Sequence, residues 1–177
     1  MSARAADGHI FLVGFMGSGK STIAGLLATT LALPCIDLDH RIVRSAGKPI
    51  SAIFADDGEE VFRAMESEAL AALADEPASV VACGGGIVLR PENRAVLKQL
   101  GTVVYLKVTA GEALARIGDA ETRPLLAGAG GALAATSLLS AREALYGSVA
   151  DITIDTVGRS PDQIAETVAN EIGGASS

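Results

Sequence analysis

The sequence predicts an α/β domain built on a mostly parallel sheet with helices on both faces. Three observations lead there. Strand-like and helix-like patterns alternate along 177 residues, the order from which parallel sheets are wound. The strand patterns are short, nearly unbroken apolar runs, as strands covered on both faces require. And Gly14 to Ser21 reads "GFMGSGKS" between the first strand pattern and the first helix pattern, which is where a phosphate-binding loop belongs.

Element by element, "HIFLVG" is a buried strand, and Lys20 to Leu33 is a helix stopped by Pro34. "CIDLD" is a short second strand. From Ile50 to Ala74 the spacing of Ile53, Phe54, Val61, Phe62, Met65, Leu70 and Leu73 suits helix, interrupted near Gly58. "SVVAC" and "TVVYLKV" are two more strands, with Pro91 to Leu100 helical between them. Thr109 with Glu112, and Ser160-Pro161-Asp162-Gln163, read as capping boxes opening two further helices. "DITIDT" supplies the last strand. Nothing divides the chain, so residues 1–177 are expected to be one domain.

Composition narrows the function. The chain is 49% hydrophobic but only 3% aromatic, which gives a core of Ala, Leu, Ile and Val. A net charge of -7 argues against general affinity for nucleic acid or anionic membranes. An anionic ligand must therefore be held by a local group of basic residues. Cys35 and Cys83 make no disulfide framework and suit a reducing cytoplasm. "MSARAADGHI" is charged and lacks an apolar core, so no export signal is expected. Residues 124–141 carry no charge, but Gly, Ala, Ser and Thr dominate them; they read as a flexible segment followed by a helix outside the membrane.

In the phosphate loop, backbone N–H groups of Gly17, Gly19 and Lys20 would face phosphate oxygens at a helix N-terminus. Lys20 would reach the β- and γ-phosphates, and the Ser21 hydroxyl would ligate Mg2+. A glycine-rich turn with a solvated lysine is the alternative, and spacing and context both weigh against it. Asp37 and Asp39 stand two apart at the end of a short strand, where extended geometry turns both side chains the same way. Alone, they would be a solvated pair capping the next helix. Beside a phosphate loop, one carboxylate orients the metal and the other holds the attacking hydroxyl. Gly84, Gly85 and Gly86 follow a strand directly, where a ligand can lie against bare main chain. Arg63, Arg123 and Arg142 supply planar guanidinium forks suited to a small carboxylate or phosphate.

In this order, "GFMGSGKST", "DLDH", "IFADDGEEVFR", "GGG", "TRPLL", "SAREALY" and "GRSP" resemble the shikimate kinases over nearly the whole chain. The resemblance implies a P-loop kinase fold of the nucleoside monophosphate kinase type: a five-stranded parallel sheet flanked by helices, with a mobile lid at about 116–132. It places the substrate-binding region at about 38–75. It implies transfer of the ATP γ-phosphoryl group to the 3-hydroxyl of shikimate, a step towards chorismate and the aromatic amino acids. Separately from the resemblance, a cytoplasmic monomer is expected. By the same resemblance Asp37 lies near Mg2+, and Asp39 grips the substrate hydroxyls. Arg63 and Arg142 bind the shikimate carboxylate, and Gly85, between Gly84 and Gly86, gives the backbone contact. Ser18 and Thr22 complete the nucleotide loop. Arg123 is the lid arginine at the transferring phosphate, and Arg116, Arg159 and Pro161 lie by adenine. Ala144 stands where the family commonly has proline.

Two rivals remain. A kinase for another polyol acid, such as gluconate, would use the same scaffold, but the three glycines with Arg63 and Arg142 argue against it. A nucleotide-dependent switch would leave those arginines unexplained, and no Asn-Lys-x-Asp motif occurs.

Overall fold

A computed structural model describes residues 8–117 and 131–174. Five strands form one sheet: β1 (His9–Val13), β2 (Cys35–Asp37), β3 (Val80–Ala82), β4 (Gly101–Lys107) and β5 (Ile152–Asp155). Their order is β2-β3-β1-β4-β5, and every pairing is parallel. The helices are α1 (Lys20–Leu31), α2 (Leu38–Ala46), α3 (Ile50–Asp56), α4 (Glu59–Ala71), α5 (Pro91–Leu100), α6 (Ala110–Ile117), α7 (Gly131–Val149) and α8 (Pro161–Gly174). The five strands read from the sequence are these five.

The central position of β1 explains why Ile10 to Val13 are all apolar. Ile10 and Leu12 face one side, packing with Ile23 and Leu27 of α1 and Ile164 and Val168 of α8. Phe11 and Val13 face the other, packing with Leu70, Leu97 and Tyr146. A strand covered on both faces has no position for a polar alternation. Ile42, Ile53 and Phe62 form a third, smaller cluster that binds α2, α3 and α4 together, across the region expected to receive substrate.

Two boundaries differ from expectation. The first helix ends at Leu31, not Leu33, because Ala32 takes a left-handed conformation (φ 54). The Leu33 N–H then closes back on the Ala28 carbonyl at 3.0 Å, a helix-ending bond that needs no proline. The second concerns the Asp pair. Only Asp37 belongs to β2; Asp39 lies in the first turn of α2, so the extended geometry invoked for the pair does not hold. The interruption near Gly58 is where expected: α3 stops at Asp56, Gly58 has φ 89, and α4 begins at Glu59. Of the two capping boxes, Ser160 and Gln163 bond reciprocally at 3.0 and 3.3 Å. At Thr109 only half forms: its hydroxyl accepts from the Glu112 N–H, while the Glu112 carboxylate pairs with Arg116.

The topology fixes where a ligand can sit. From β1 the chain crosses to β2 and returns to β3, and β4 is later added on the other side of β1. The connections leaving β1 and β3 therefore border a crevice at the carboxyl ends of the strands. No helix among the described residues is long and apolar enough to cross a membrane.

Candidate active site

The loop from Gly14 to Gly19 joins β1 to α1 and curls so that a helix N-terminus opens towards solvent. Gly17 (φ 77) and Gly19 (φ 90) hold it in conformations other residues rarely adopt. At Gly17 a side chain is also excluded by space, since a Cβ would lie 2.5 Å from the Ala113 carbonyl oxygen. The Lys20 ammonium folds over the loop and donates to the carbonyls of Gly14 (2.7 Å) and Phe15 (3.0 Å). A cation is thus held where phosphate oxygens would be cradled.

A cavity of about 580 Å³ opens on this loop. Gly17, Ser18, Gly19, Lys20, Ser21 and Thr22 line it, with Asp37, Asp39, Gly85, Arg116, Arg159 and Pro161. Twelve of the residues singled out in the sequence therefore share one cavity. The Ser21 hydroxyl donates to Asp37 Oδ2 at 2.6 Å. The other Asp37 oxygen accepts from the His40 N–H at 3.1 Å, so Asp37 both caps α2 and turns a carboxylate oxygen to the loop. Arg116 reaches from α6 to the Thr156 carbonyl (3.0 Å) and the Gly17 carbonyl (3.4 Å). Arg159 is bound back onto α8 through Thr167.

Arg63 and Arg142 lie beneath the glycine loop, both nearly buried, at 6% and 4% exposure. Arg63 Nη1 donates to Glu66 at 2.6 Å, and Nη2 to Glu59 at 3.1 Å. Burial works against the arginine's charge, but the two carboxylates outweigh it and raise its pKa. For Glu66, burial dominates and pushes the carboxyl upward, with Arg63 opposing and Asp39 adding to the rise. Cys83, just before the glycines, is buried, and that burial pushes its thiol far up. It is an inert apolar neighbour.

The glycines themselves need no special dihedral; none of the three has positive φ. They need space, and each needs it for a different neighbour. A Cβ on Gly84 would lie 2.9 Å from Asp39 Oδ1 and closer still to Glu66. One on Gly86 would lie 2.8 Å from Arg63 Nη2 and closer still to Nη1. One on Gly85 would meet nothing nearer than 3.6 Å, with Arg142 Nη1 at 3.7 Å. Gly84 and Gly86 are thus bare to admit the protein's own ion pair, and only Gly85 lines the cavity.

Three residues escaped the sequence reading. Glu66 stands one turn beyond Arg63 in an apolar helix, and that i, i+3 spacing was the available signal. Glu59 sat unassigned in "GEEVFR". Tyr146 reaches the Gly85 carbonyl across 61 residues of sequence, with no local trace. Arg123, expected as a lid arginine, and most of the expected lid at 116–132 lie outside the described residues.

Comparison with known proteins follows the same lines. The family model described as shikimate kinase matches residues 16–173. A shikimate kinase of Geobacter metallireducens is 37% identical over 98% of this chain and 97% of its own length. One of Thermobifida fusca is 43% identical, covering 91% and 92%. A solved shikimate kinase from Acinetobacter baumannii, in complex with shikimate, superposes with a TM-score of 0.94 at 36% identity, over 98% of this chain and 97% of that one. A gluconokinase from Sinorhizobium meliloti shares the fold alone, at a TM-score of 0.59 and 21% identity.

Proposed function

The chain belongs to the shikimate kinase family, and from that premise we propose that it transfers the γ-phosphoryl group of ATP to the 3-hydroxyl of shikimate. It is a small-molecule kinase. The observation that carries the reading is the junction at Gly85. One cavity holds the phosphate loop and Gly85, and Arg142 and Arg63 are buried immediately behind the glycines. An acidic ring lying on Gly85 would have arginine at its carboxylate and Asp39 within the same cavity as Lys20.

In the proposed mechanism, N–H groups of the loop and the Lys20 ammonium bind the β- and γ-phosphates and offset charge as the phosphoryl group transfers. Asp39 orients the attacking hydroxyl and accepts its proton. Arg63 and Arg142 hold the carboxylate, fixing the ring so that the hydroxyl faces the phosphate. The adjoining Ser21 and Asp37 oxygens form a hard-oxygen donor pair that fits Mg2+. No group of three or more acidic, His or Cys ligands occurs among the described residues, which suits a cation completed by phosphate and water. Bound there, Mg2+ would neutralise charge on the phosphate oxygens. Arg116, Arg159 and Pro161 flank the adenine, and Arg123 joins the transferring phosphate from the lid. The whole chain acts as one cytoplasmic monomer, with substrate received between residues 38 and 75.

A coupled ADP-release assay tests this, with shikimate, quinate, gluconate and nucleoside monophosphates as acceptors. Release with shikimate alone, or far faster with it, is expected. Release only with another acceptor would overturn the substrate.

A further inference from the structure

Tyr146 is a fully buried tyrosine, 0% exposed, in the middle of the molecule. Its hydroxyl donates to the Gly85 carbonyl. Its ring stacks on Tyr105 of β4, with centroids 5.1 Å apart and planes 27° from parallel. Arg142 lies one turn earlier on α7, and its charge acts directly on the hydroxyl. One side chain thus connects the loop after β3, the central sheet and the helix that carries a substrate arginine.

The glycine loop needs such a fastening. Gly85 contributes no side chain, and its carbonyl is at the one place in the triplet that faces the cavity. Downstream, the loop is secured by Asn93, whose amide donates to the Ile87 carbonyl at 3.0 Å. It is also secured by Arg94, which donates to the Val88 carbonyl at 2.7 Å. Those bonds act beyond the triplet, on the 3-10 turn at Ile87–Leu89. At Gly85 itself, Tyr146 is the side chain that holds the main chain.

We infer that Tyr146 is a positioning residue for the acidic substrate: its hydroxyl fixes the Gly85 peptide at a set distance from the Arg142 guanidinium, so that backbone and arginine meet one ligand together. It acts through Gly85 and Arg142, both of which its hydroxyl meets, and touches neither substrate nor nucleotide. A bond of this kind specifies geometry because a ring locked by burial and stacking cannot follow a drifting loop. Burial pushes the Tyr146 hydroxyl up to about 12, against the opposing influence of Arg142. It therefore stays a donor throughout the working pH range. The neighbouring Tyr105 hydroxyl is the contrast: it is buried and bonds no acceptor among the described residues.

The inference rests on the shikimate kinase reading, and wild-type activity separates the two. If the wild type releases no ADP with shikimate, the reading of function fails. If it does, Tyr146→Phe tests the inference. That variant keeps ring and stack and removes the hydroxyl, with both its bond to the Gly85 carbonyl and its bond with Arg142. The KM for shikimate should rise about three- to ten-fold, the value of one hydrogen bond, while the KM for ATP stays within about two-fold. Tyr105→Phe should leave both unchanged. An unaltered shikimate KM, with only a lowered melting temperature, would make Tyr146 a structural residue and overturn the inference, as would equal rises in both constants. Should Tyr146→Phe not fold, 4-aminophenylalanine at position 146 keeps a weaker donor and should raise the shikimate KM about two-fold. No rise there would overturn it equally.

Discussion

Replacing Gly85 or Gly86 by alanine adds the same methyl group one residue apart, yet the two changes should fail differently. At Gly86 the new Cβ would lie 2.5 Å from Arg63 Cζ and 2.8 Å from Nη2, so something must move. The backbone is poorly placed to yield, because the Leu89 N–H donates to the Gly86 carbonyl and the Ile87 N–H to the Gly84 carbonyl, each at 3.1 Å. The guanidinium must give way, and Glu66, 2% exposed, is left as a buried carboxylate with a weakened partner. Breaking a buried pair costs about 3–5 kcal/mol, which bounds the loss from above. For a chain of this size that is at most roughly 6–20 °C of melting temperature. The displaced arginine also forfeits a charged hydrogen bond to substrate, about 1.5–3 kcal/mol or roughly ten- to a hundred-fold in the shikimate KM.

At Gly85 the same methyl meets its nearest protein atom at 3.6 Å, an ordinary contact. Since φ is not positive there, alanine is unstrained and should hold or slightly raise stability, by up to about 1 kcal/mol. The methyl nevertheless stands in the cavity. Gly85→Ala should therefore melt like wild type and bind shikimate poorly, with ATP unaffected. Calorimetry and two-substrate kinetics on the pair decide the matter. Equal melting losses in both variants, or a stable Gly86→Ala with normal shikimate KM, would refute the division of labour among the glycines.

Lys20→Ala should remove most phosphoryl transfer even at saturating ATP, since the β/γ-oxygens lose their principal side-chain cation; near-normal turnover in the ADP-release assay would refute this. Asp39→Asn should fold normally and lose turnover severely, whereas Asp37→Asn should mainly raise the Mg2+ concentration needed; the reverse pattern would exchange their roles. Arg123→Ala should cut kcat far more than it weakens nucleotide binding, read by the same kinetics and by nucleotide titration. Glu66 carries a pH signature. Its folded pKa is raised above the ordinary 4.5, so above that pH the folded state holds a proton that the unfolded state has released. Stability should then fall as pH rises through the window between the two values. Urea midpoints measured across that window should show this slope in wild type and a flatter one in Glu66→Gln.

Sequence patterns revealed what short-range physics dictates. The buried run of β1, the phosphate loop at its end and the Gly58 break all follow from local composition and spacing. So does the convergence of twelve motif residues on one cavity, because motif residues at strand ends converge in any parallel sheet. What local patterns could not supply was the partner of each buried group. "CIDLD" reads as extended through Asp39, whereas Asp37 caps α2 and the helix begins at Leu38. Ala32 adopts a conformation favoured by glycine because the chain must turn from α1 into β2, and nothing in alanine announces that.

The same distinction bears on how the carboxylate site works. Both terminal nitrogens of Arg63 are already engaged, by Glu66 and by Glu59, while its Nε is buried without an acceptor among the described residues. The two carboxylates are not equivalent. Glu66 is 2% exposed and wedged against Gly84, whereas the Glu59 side chain is 51% exposed. An exposed ion pair contributes little and exchanges readily; a buried one is costly to break. In the proposed mechanism a substrate carboxylate arriving at Arg63 would take the place of the exposed Glu59, while Glu66 keeps the guanidinium in plane. On that reading the arginine is charged and already aimed, so little ordering would remain for the substrate to impose.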